Sequence, residues 1–229
     1  MAQLHPIVIA GLTGFISGLL LSIPVGPVNL TIMNEGARRG FFCGLLIGIG
    51  ASVMEVIYCT IAFTGFSSFF DNRAIKAAME VFSFAFMLFL GVKFLMAKTV
   101  VAPTHLGKAA DKLEVRIEEK FHPHSAFMTG FVRTMANPGV LLFWIILAAN
   151  FMSHEWVEPN LESKLACVAG VALSTSIWFT GLSWAVSLGH GRFSEKTLLR
   201  MEHISGLGLL VLGLIHGGHI AWQLANHRM

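Results

Sequence analysis

Charged residues are scarce in this sequence. Asp, Glu, Lys and Arg make up 13% of its 229 residues, against roughly 25% in an average soluble domain. The deficit is matched by 55% hydrophobic residues gathered in long uninterrupted blocks. That excludes an ordinary soluble domain and points to a polytopic membrane protein. Catalytic signatures are missing as well: no Ser-x-x-Lys, His-Glu-x-x-His, paired Asp or repeated histidine box occurs, which argues against an intramembrane enzyme. The three cysteines, Cys43, Cys59 and Cys167, form no Cys-x-x-Cys pair and read as free thiols, not a disulfide relay. No Lys or Arg precedes the first apolar run, and no small-residue cleavage site follows it, so this block reads as a retained helix and not a signal peptide. The net charge of +3 is small and unevenly placed, which excludes a nucleic-acid footprint.

What is present is a set of six blocks of membrane-spanning length, at about 6–33, 41–66, 75–97, 125–152, 163–188 and 203–223. The longest connection, 98–124, is charged; its Leu113, Ile117 and Phe121 recur at helical spacing, so it reads either as a short amphipathic surface helix or as a solvated linker. Basic residues divide unevenly between the two sides. The first, third and fifth connections hold eleven of the 16 Lys and Arg, the other side holds Arg73, Lys76, Lys164 and Arg228, and Arg133 belongs to neither. By the positive-inside rule the odd connections are cytoplasmic and both termini face outward.

Two of the blocks are interrupted. Pro24 and Pro27 in Leu21-Ser22-Ile23-Pro24-Val25-Gly26-Pro27-Val28-Asn29 cannot donate to the carbonyls of Leu20 and Ile23, and Pro138 in Asn137-Pro138-Gly139 cannot donate to Thr134. Helices must break at both places, and within a bilayer an irregular backbone survives only if buried in protein or lining a cavity. Thr13-Gly14-Phe15 precedes the first break and Thr129-Gly130-Phe131 the second, while Leu90-Gly91-Val92 and Leu212-Gly213-Leu214 match in the third and sixth blocks. The pattern predicts an all-α integral membrane fold of six transmembrane helices, built as two inverted three-helix repeats with helices 1 and 4 broken. Residues 1–97 form the first repeat, 98–124 a charged cytoplasmic linker, and 125–229 the second repeat.

These residues carry a resemblance. The run from Gly14 to Gly65, with Gly18, Pro24-Val25-Gly26-Pro27, Arg39-Gly40, Gly44, Gly48, Gly50 and Glu55, resembles the first half of the lysine-exporter (LysE/RhtB-type) family. Asn137-Pro138 with its following apolar aromatic run, and the glycines Gly206, Gly208 and Gly213, resemble the second half. The chain departs from the family pattern in the inserted Val25 and in having Glu55 where an Asp is frequent. The resemblance implies a secondary transporter in a prokaryotic cytoplasmic (inner) membrane that exports an amino acid or related small metabolite, driven by an ion gradient. The expected partners are that small molecule, protons in antiport and the lipid bilayer. A homodimer stays open, and neither a cofactor nor a resident metal is expected. A heavy-metal ion exporter is the alternative within the same architecture, and an intramembrane enzyme the alternative of another class.

Residue types within the blocks nominate the site. Gly40, Gly44, Gly48, Ser52 and Glu55 share one helical face, which turns Glu55 inward, where a carboxyl is tolerated chiefly for coupling or binding. Arg133 shares a face with Gly130 and Asn137; it reads as a ligand for a carboxylate, as a partner of Glu55, or as a snorkelling interfacial charge. Half-helices starting after Gly26 and Gly139 would present positive N-termini to an anion, freed carbonyls would face a cation or an ammonium, and Asn29 and Asn137 would add donors and acceptors; the alternative is a proline kink repaired by neighbouring helices. The candidate site is therefore Pro24, Gly26, Pro27, Asn29, Glu55, Arg133, Asn137, Pro138 and Gly139. Ser176, Thr180, Ser183 and Ser187 form a hydroxyl stripe that either lines a wet path or eases packing. Trp144, Trp178 and Trp184 read as packing or interface residues, and His216 and His219 as interfacial histidines.

The topology predicts an accessibility pattern. In intact cells, cysteines introduced by Thr104→Cys and Ser194→Cys should resist a membrane-impermeant thiol reagent, and one introduced by Asn160→Cys should react. The reverse pattern overturns the orientation.

Overall fold

The computed structural model describes residues 5–24, 26–65, 73–97, 116–117, 120–121, 125–188 and 195–225. Among these the regular structure is helical: α1 (Pro6–Ser22), α2 (Pro27–Arg39), α3 (Phe41–Gly65), α4 (Arg73–Leu95), α5 (Ala126–Ala136), α6 (Pro138–Ser153), α7 (Leu161–Ser187) and α8 (Glu195–Ala225). In the linker, 116–117 and 120–121 are helical, and Leu113 lies outside the described residues.

Both interruptions occur where the prolines demand them. α1 and α2 meet at 69°, and α5 and α6 at 66°. Pro27 and Pro138 each open the second half-helix, at the position where a missing N–H costs nothing. Local signals set the other ends. Ser125 Oγ accepts from the Met128 amide at 3.2 Å and Asn160 Oδ1 from the Ser163 amide at 2.7 Å, starting α5 and α7. Gly40, at φ 88°, makes the left-handed turn between α2 and α3 that a side chain would oppose.

Among the described residues three helices are individually long and apolar enough to cross a bilayer, α3, α7 and Lys196–Trp222 of α8, and each bent pair counted as one span brings the number to five. The expected third span, 75–97, corresponds to α4, in which Phe84–Leu95 is a shorter apolar helix among the described residues, and Arg73, Lys76 and Glu80 stand in its first turns. Two other boundaries also differ from the sequence reading. α2 runs on to Arg39, and α8 starts at Glu195, well before 203, because amphipathic turns that hydropathy overlooks bury Ile32, Met33 and Leu198 in one cluster with α3 and α7.

Glycines set how the helices cross. A Cβ added at Gly14 would overlap the Cys167 carbonyl, and one at Gly170 would overlap the Gly11 carbonyl, so α1 and α7 touch backbone to backbone. Gly130 and Gly50 do the same between α5 and α3, against the carbonyls of Ile47 and Phe127. Gly91 of α4 and Gly206 of α8 approach each other's carbonyls. Gly14 meets Cys167 and Gly18 meets Ser174, while Asn29 of α2 bonds Trp178 farther along α7. Both halves of the bent pair thus advance along α7 in one direction and do not turn back.

Between the crossings lies a core of Trp144, Phe63, Phe151, Leu147, Met87 and Leu209, each nearly or wholly buried. Outward, Leu12, Ile49, Phe89, Leu173 and Val211 are exposed on their helices, an arrangement that water penalises and lipid does not.

The backbone contacts predict a sharp contrast. Gly130→Ala, which drives a Cβ into the Ile47 carbonyl, should lower stability by about 1–3 kcal/mol or more. Gly181→Ala, which meets nothing within 4 Å, should leave it unchanged or raised. Thermal unfolding in detergent measures both.

Candidate functional site between the two breaks

The first break is closed by side chains. With Pro24 and Pro27 unable to donate, the Gly26 amide turns to the Pro24 carbonyl at 2.9 Å, which strips the Ser22 carbonyl of its helical donor. Asn29 supplies the replacement: its Nδ2 donates to Ser22 O at 2.8 Å and to Pro24 O at 2.7 Å, while its Oδ1 accepts from Trp178 Nε1 at 3.3 Å. The second break is repaired in parallel. The Gly139 amide is taken by Asn137 Oδ1 at 3.0 Å, and the Met135 carbonyl it would have served accepts from the Tyr58 hydroxyl at 2.7 Å. The Thr134 carbonyl accepts from the Asn137 amide at 3.2 Å.

These repairs change the expected chemistry of the breaks. Freed carbonyls were expected to face a cation, but at the breaks the carbonyls of Ser22, Pro24 and Met135 are held by Asn29 and Tyr58. Asn29 is a clasp between α1, α2 and α7, with its amide donors and its oxygen committed. The two half-helix N-termini also differ. α6 begins at Pro138, ahead of Gly139, and Asn137 caps it, whereas no side chain caps α2. Its first turn is the one left to offer amides to an anion.

Between the breaks lies a cavity of about 100 Å³. It is lined by Leu21, Ser22, Pro24, Gly26, Pro27, Val28 and Asn29 from the first break, Glu55 of α3, and Phe86, Leu90 and Phe94 of α4. Arg133, Thr134, Asn137, Gly139, Val140 and Phe143 from the second break, and Phe179 of α7, complete the wall. The structure thus gathers on one wall eight of the residues nominated from sequence, Pro24, Gly26, Pro27, Asn29, Glu55, Arg133, Asn137 and Gly139. Pro138 does not line the cavity; it acts by starting α6. Gly26 meets nothing within 4 Å of a built Cβ, so its part is to leave the cavity wall open.

Glu55 is buried, and its Oε2 has no hydrogen-bond partner. The wholly buried Trp144 turns its indole N–H toward that carboxyl without closing a hydrogen bond. Arg133 does not merely snorkel: its Nη1 donates to Thr31 Oγ1, and Thr31 Oγ1 donates to the Pro27 carbonyl at 2.7 Å, which ties the guanidinium on α5 to the start of α2. The other polar wall residues are engaged with backbone. Ser22 Oγ donates to Gly18 O at 2.8 Å and Thr134 Oγ1 to Gly130 O at 3.0 Å.

Several sequence expectations are redistributed. The hydroxyl stripe of α7 divides, with Ser176 and Thr180 exposed and Ser183 buried and donating to Phe179 O at 2.7 Å; Ser174 and Thr175, outside the stripe, are fully buried. Trp178 anchors the first break and Trp144 flanks Glu55, while Trp184 is exposed. Glu202 of α8, which the sequence reading passed over because it began the block at 203, and Ser205 are buried, and neither Glu202 Oε2 nor Ser205 Oγ has a partner. The side chains of His216 and His219 lie outside the described residues. Among the described residues no group of three or more His, Cys, Asp or Glu could hold a metal ion.

Comparison with known proteins agrees across most of the chain. The family model described as LysE type translocator matches residues 19–216. A Bacillus subtilis (strain 168) protein named "Putative amino acid efflux protein YcgF" is 27% identical over 206 residues, covering 90% of this chain and 94% of the relative. An uncharacterized membrane protein of Pseudomonas aeruginosa, PA4757, is 22% identical over 196 residues, covering 82% of this chain and 84% of the relative. No solved structure matches.

The repairs predict which side chains hold the breaks. Tyr58→Phe leaves the Met135 carbonyl without the donor seen here, and Asn29→Ala does so for the Ser22 carbonyl. Each should cost about 1–3 kcal/mol of stability, read by thermal or denaturant unfolding in detergent, with Thr60→Ala on the exposed face of α3 as a near-neutral control.

Proposed function

The chain belongs to the LysE type translocator family, and from that premise we propose that it exports an amino acid or related small metabolite from a prokaryotic cytoplasm, across the inner membrane, by proton antiport. The observation that carries this reading is the placement of Glu55 and Arg133, opposite charges from two helices, on one cavity between two broken spans. An amino acid's ammonium has a partner in the carboxylate and its carboxylate a partner in the guanidinium. The efflux named for the Bacillus relative supports the direction.

The framework we propose is six spans, the five recognised by length and apolarity plus α4, in inverted repeats 1–97 and 125–229 joined by the linker 98–124, with both termini outside. The glycine crossings support it. The α1–α7 contacts at Gly14–Cys167 and Gly11–Gly170 recur between α5 and α3 at Gly130–Ile47 and Phe127–Gly50, with the roles of the halves exchanged. That is how a two-fold relation between inverted halves would place them.

Coupling would run through Glu55. Open to the outside, the site takes up a proton, which neutralises the carboxyl and releases the substrate ammonium. Open to the cytoplasm, the proton leaves, and the restored carboxylate binds the next ammonium. One group serving both ligands in turn is sufficient for antiport.

In proteoliposomes with an imposed pH gradient, Glu55→Gln should abolish gradient-driven accumulation while substrate-for-substrate exchange survives, and Glu55→Asp should retain partial coupled transport. Full gradient-driven transport by the Gln variant would remove Glu55 from coupling.

A further inference from the structure

We infer that the cavity selects a neutral amino acid with an apolar side chain, of branched aliphatic or methionine size, by setting one pair of charges in a wall that is otherwise apolar or whose polar groups are engaged with backbone. The inference rests on the exporter reading above and adds the substrate class.

Charge is the first observation. Glu55 and Arg133 are the two ionisable residues among those lining the cavity, and they are of opposite sign. A zwitterionic backbone satisfies both. A lysine, arginine or glutamate side chain would bring a third charge against a wall that, among the described residues, has no counter-charge for it, and an uncompensated buried charge is strongly penalised.

The second is the state of the polar groups. Ser22, Asn29 and Thr134 on the wall already spend their hydroxyl or amide hydrogens on backbone carbonyls, and Asn137 Oδ1 accepts from the Gly139 amide. A hydroxyl or amide on the substrate side chain would find the donors of Ser22, Asn29 and Thr134 already spent, and exchanging the bonds of Asn29 or of Asn137 Oδ1 would reopen the breaks.

Shape is the third. The rest of the wall is aliphatic and aromatic, with Leu21, Val28, Phe86, Leu90, Val140 and Phe143 drawn from the first break, α4 and α6. By the measure in which one water needs roughly 10–15 Å³, about 100 Å³ accommodates several heavy atoms, the scale of one aliphatic amino acid. Burying such a side chain here gains the ordinary hydrophobic contribution, which alanine mostly forgoes.

The test is counterflow of labelled leucine in proteoliposomes holding the wild-type protein, with unlabelled amino acids as competitors. Isoleucine and methionine should compete comparably, alanine roughly fiftyfold more weakly for the methylenes it lacks, and lysine, glutamate and threonine at least about tenfold more weakly. Exchange of labelled lysine or threonine in preference to leucine overturns this inference and leaves the exporter reading standing. Failure to exchange any of labelled leucine, lysine, threonine and glutamate overturns both. Val140→Asp places a second carboxylate in the first turn of α6, where the helix N-terminus favours it, and should shift preference from leucine to lysine. Val140→Ala, a milder change, should improve competition by phenylalanine relative to leucine. Unaltered selectivity in both variants, shown folded by their unfolding transitions, overturns the assignment of that wall.

Discussion

A proline inside a membrane helix leaves a carbonyl without its donor, in a medium with no water to replace it. Everything around the cavity follows from how this chain meets that debt of hydrogen bonds. At the first break the Gly26 amide is diverted to Pro24, and Asn29 reaches back to hold Ser22 and Pro24 together. At the second, Asn137 takes the Gly139 amide, and Tyr58 crosses from α3 to hold Met135. Because each repair fixes a geometry, the bends of 69° and 66° are specific angles and not loose joints. They hold open the space between them.

The same repairs settle what the cavity can offer. The carbonyls of Ser22, Pro24 and Met135 are occupied, which leaves Glu55, Arg133 and the uncapped start of α2 as the groups of the proposed recognition. Arg133 reaches that start through Thr31 and the Pro27 carbonyl, so a charge on α5 is braced by the half-helix of the other break. Burial without a partner for Oε2 leaves Glu55 the least satisfied carboxyl oxygen on the cavity wall.

Much of this was legible in the sequence because the signals were local. Proline spacing inside apolar runs located both breaks, and lone charges in those runs singled out Glu55 and Arg133. The partners were not legible, since they come from other helices: Tyr58 lies 77 positions from Met135, Trp178 149 from Asn29, and Thr31 102 from Arg133. No periodicity along one helix encodes such pairings. Glu202 escaped for a different reason, because hydropathy places a boundary where charge thickens, whereas α8 begins earlier as an amphipathic turn that buries Leu198 and then Glu202.

The glycine crossings bear on mechanics. α1 is locked backbone to backbone on α7, and α5 on α3, so the stiff units of this molecule are not stretches of consecutive sequence. Each unit pairs the leading arm of one break with a long helix from the other half of the chain, while α2 and α6 are the lever arms that leave those units at an angle. The two pairs are themselves joined, since α3 packs on α7 at Gly44–Ser183 and Gly48–Phe179, so the arms of both breaks are seated on one interleaved frame to which each half of the chain contributes.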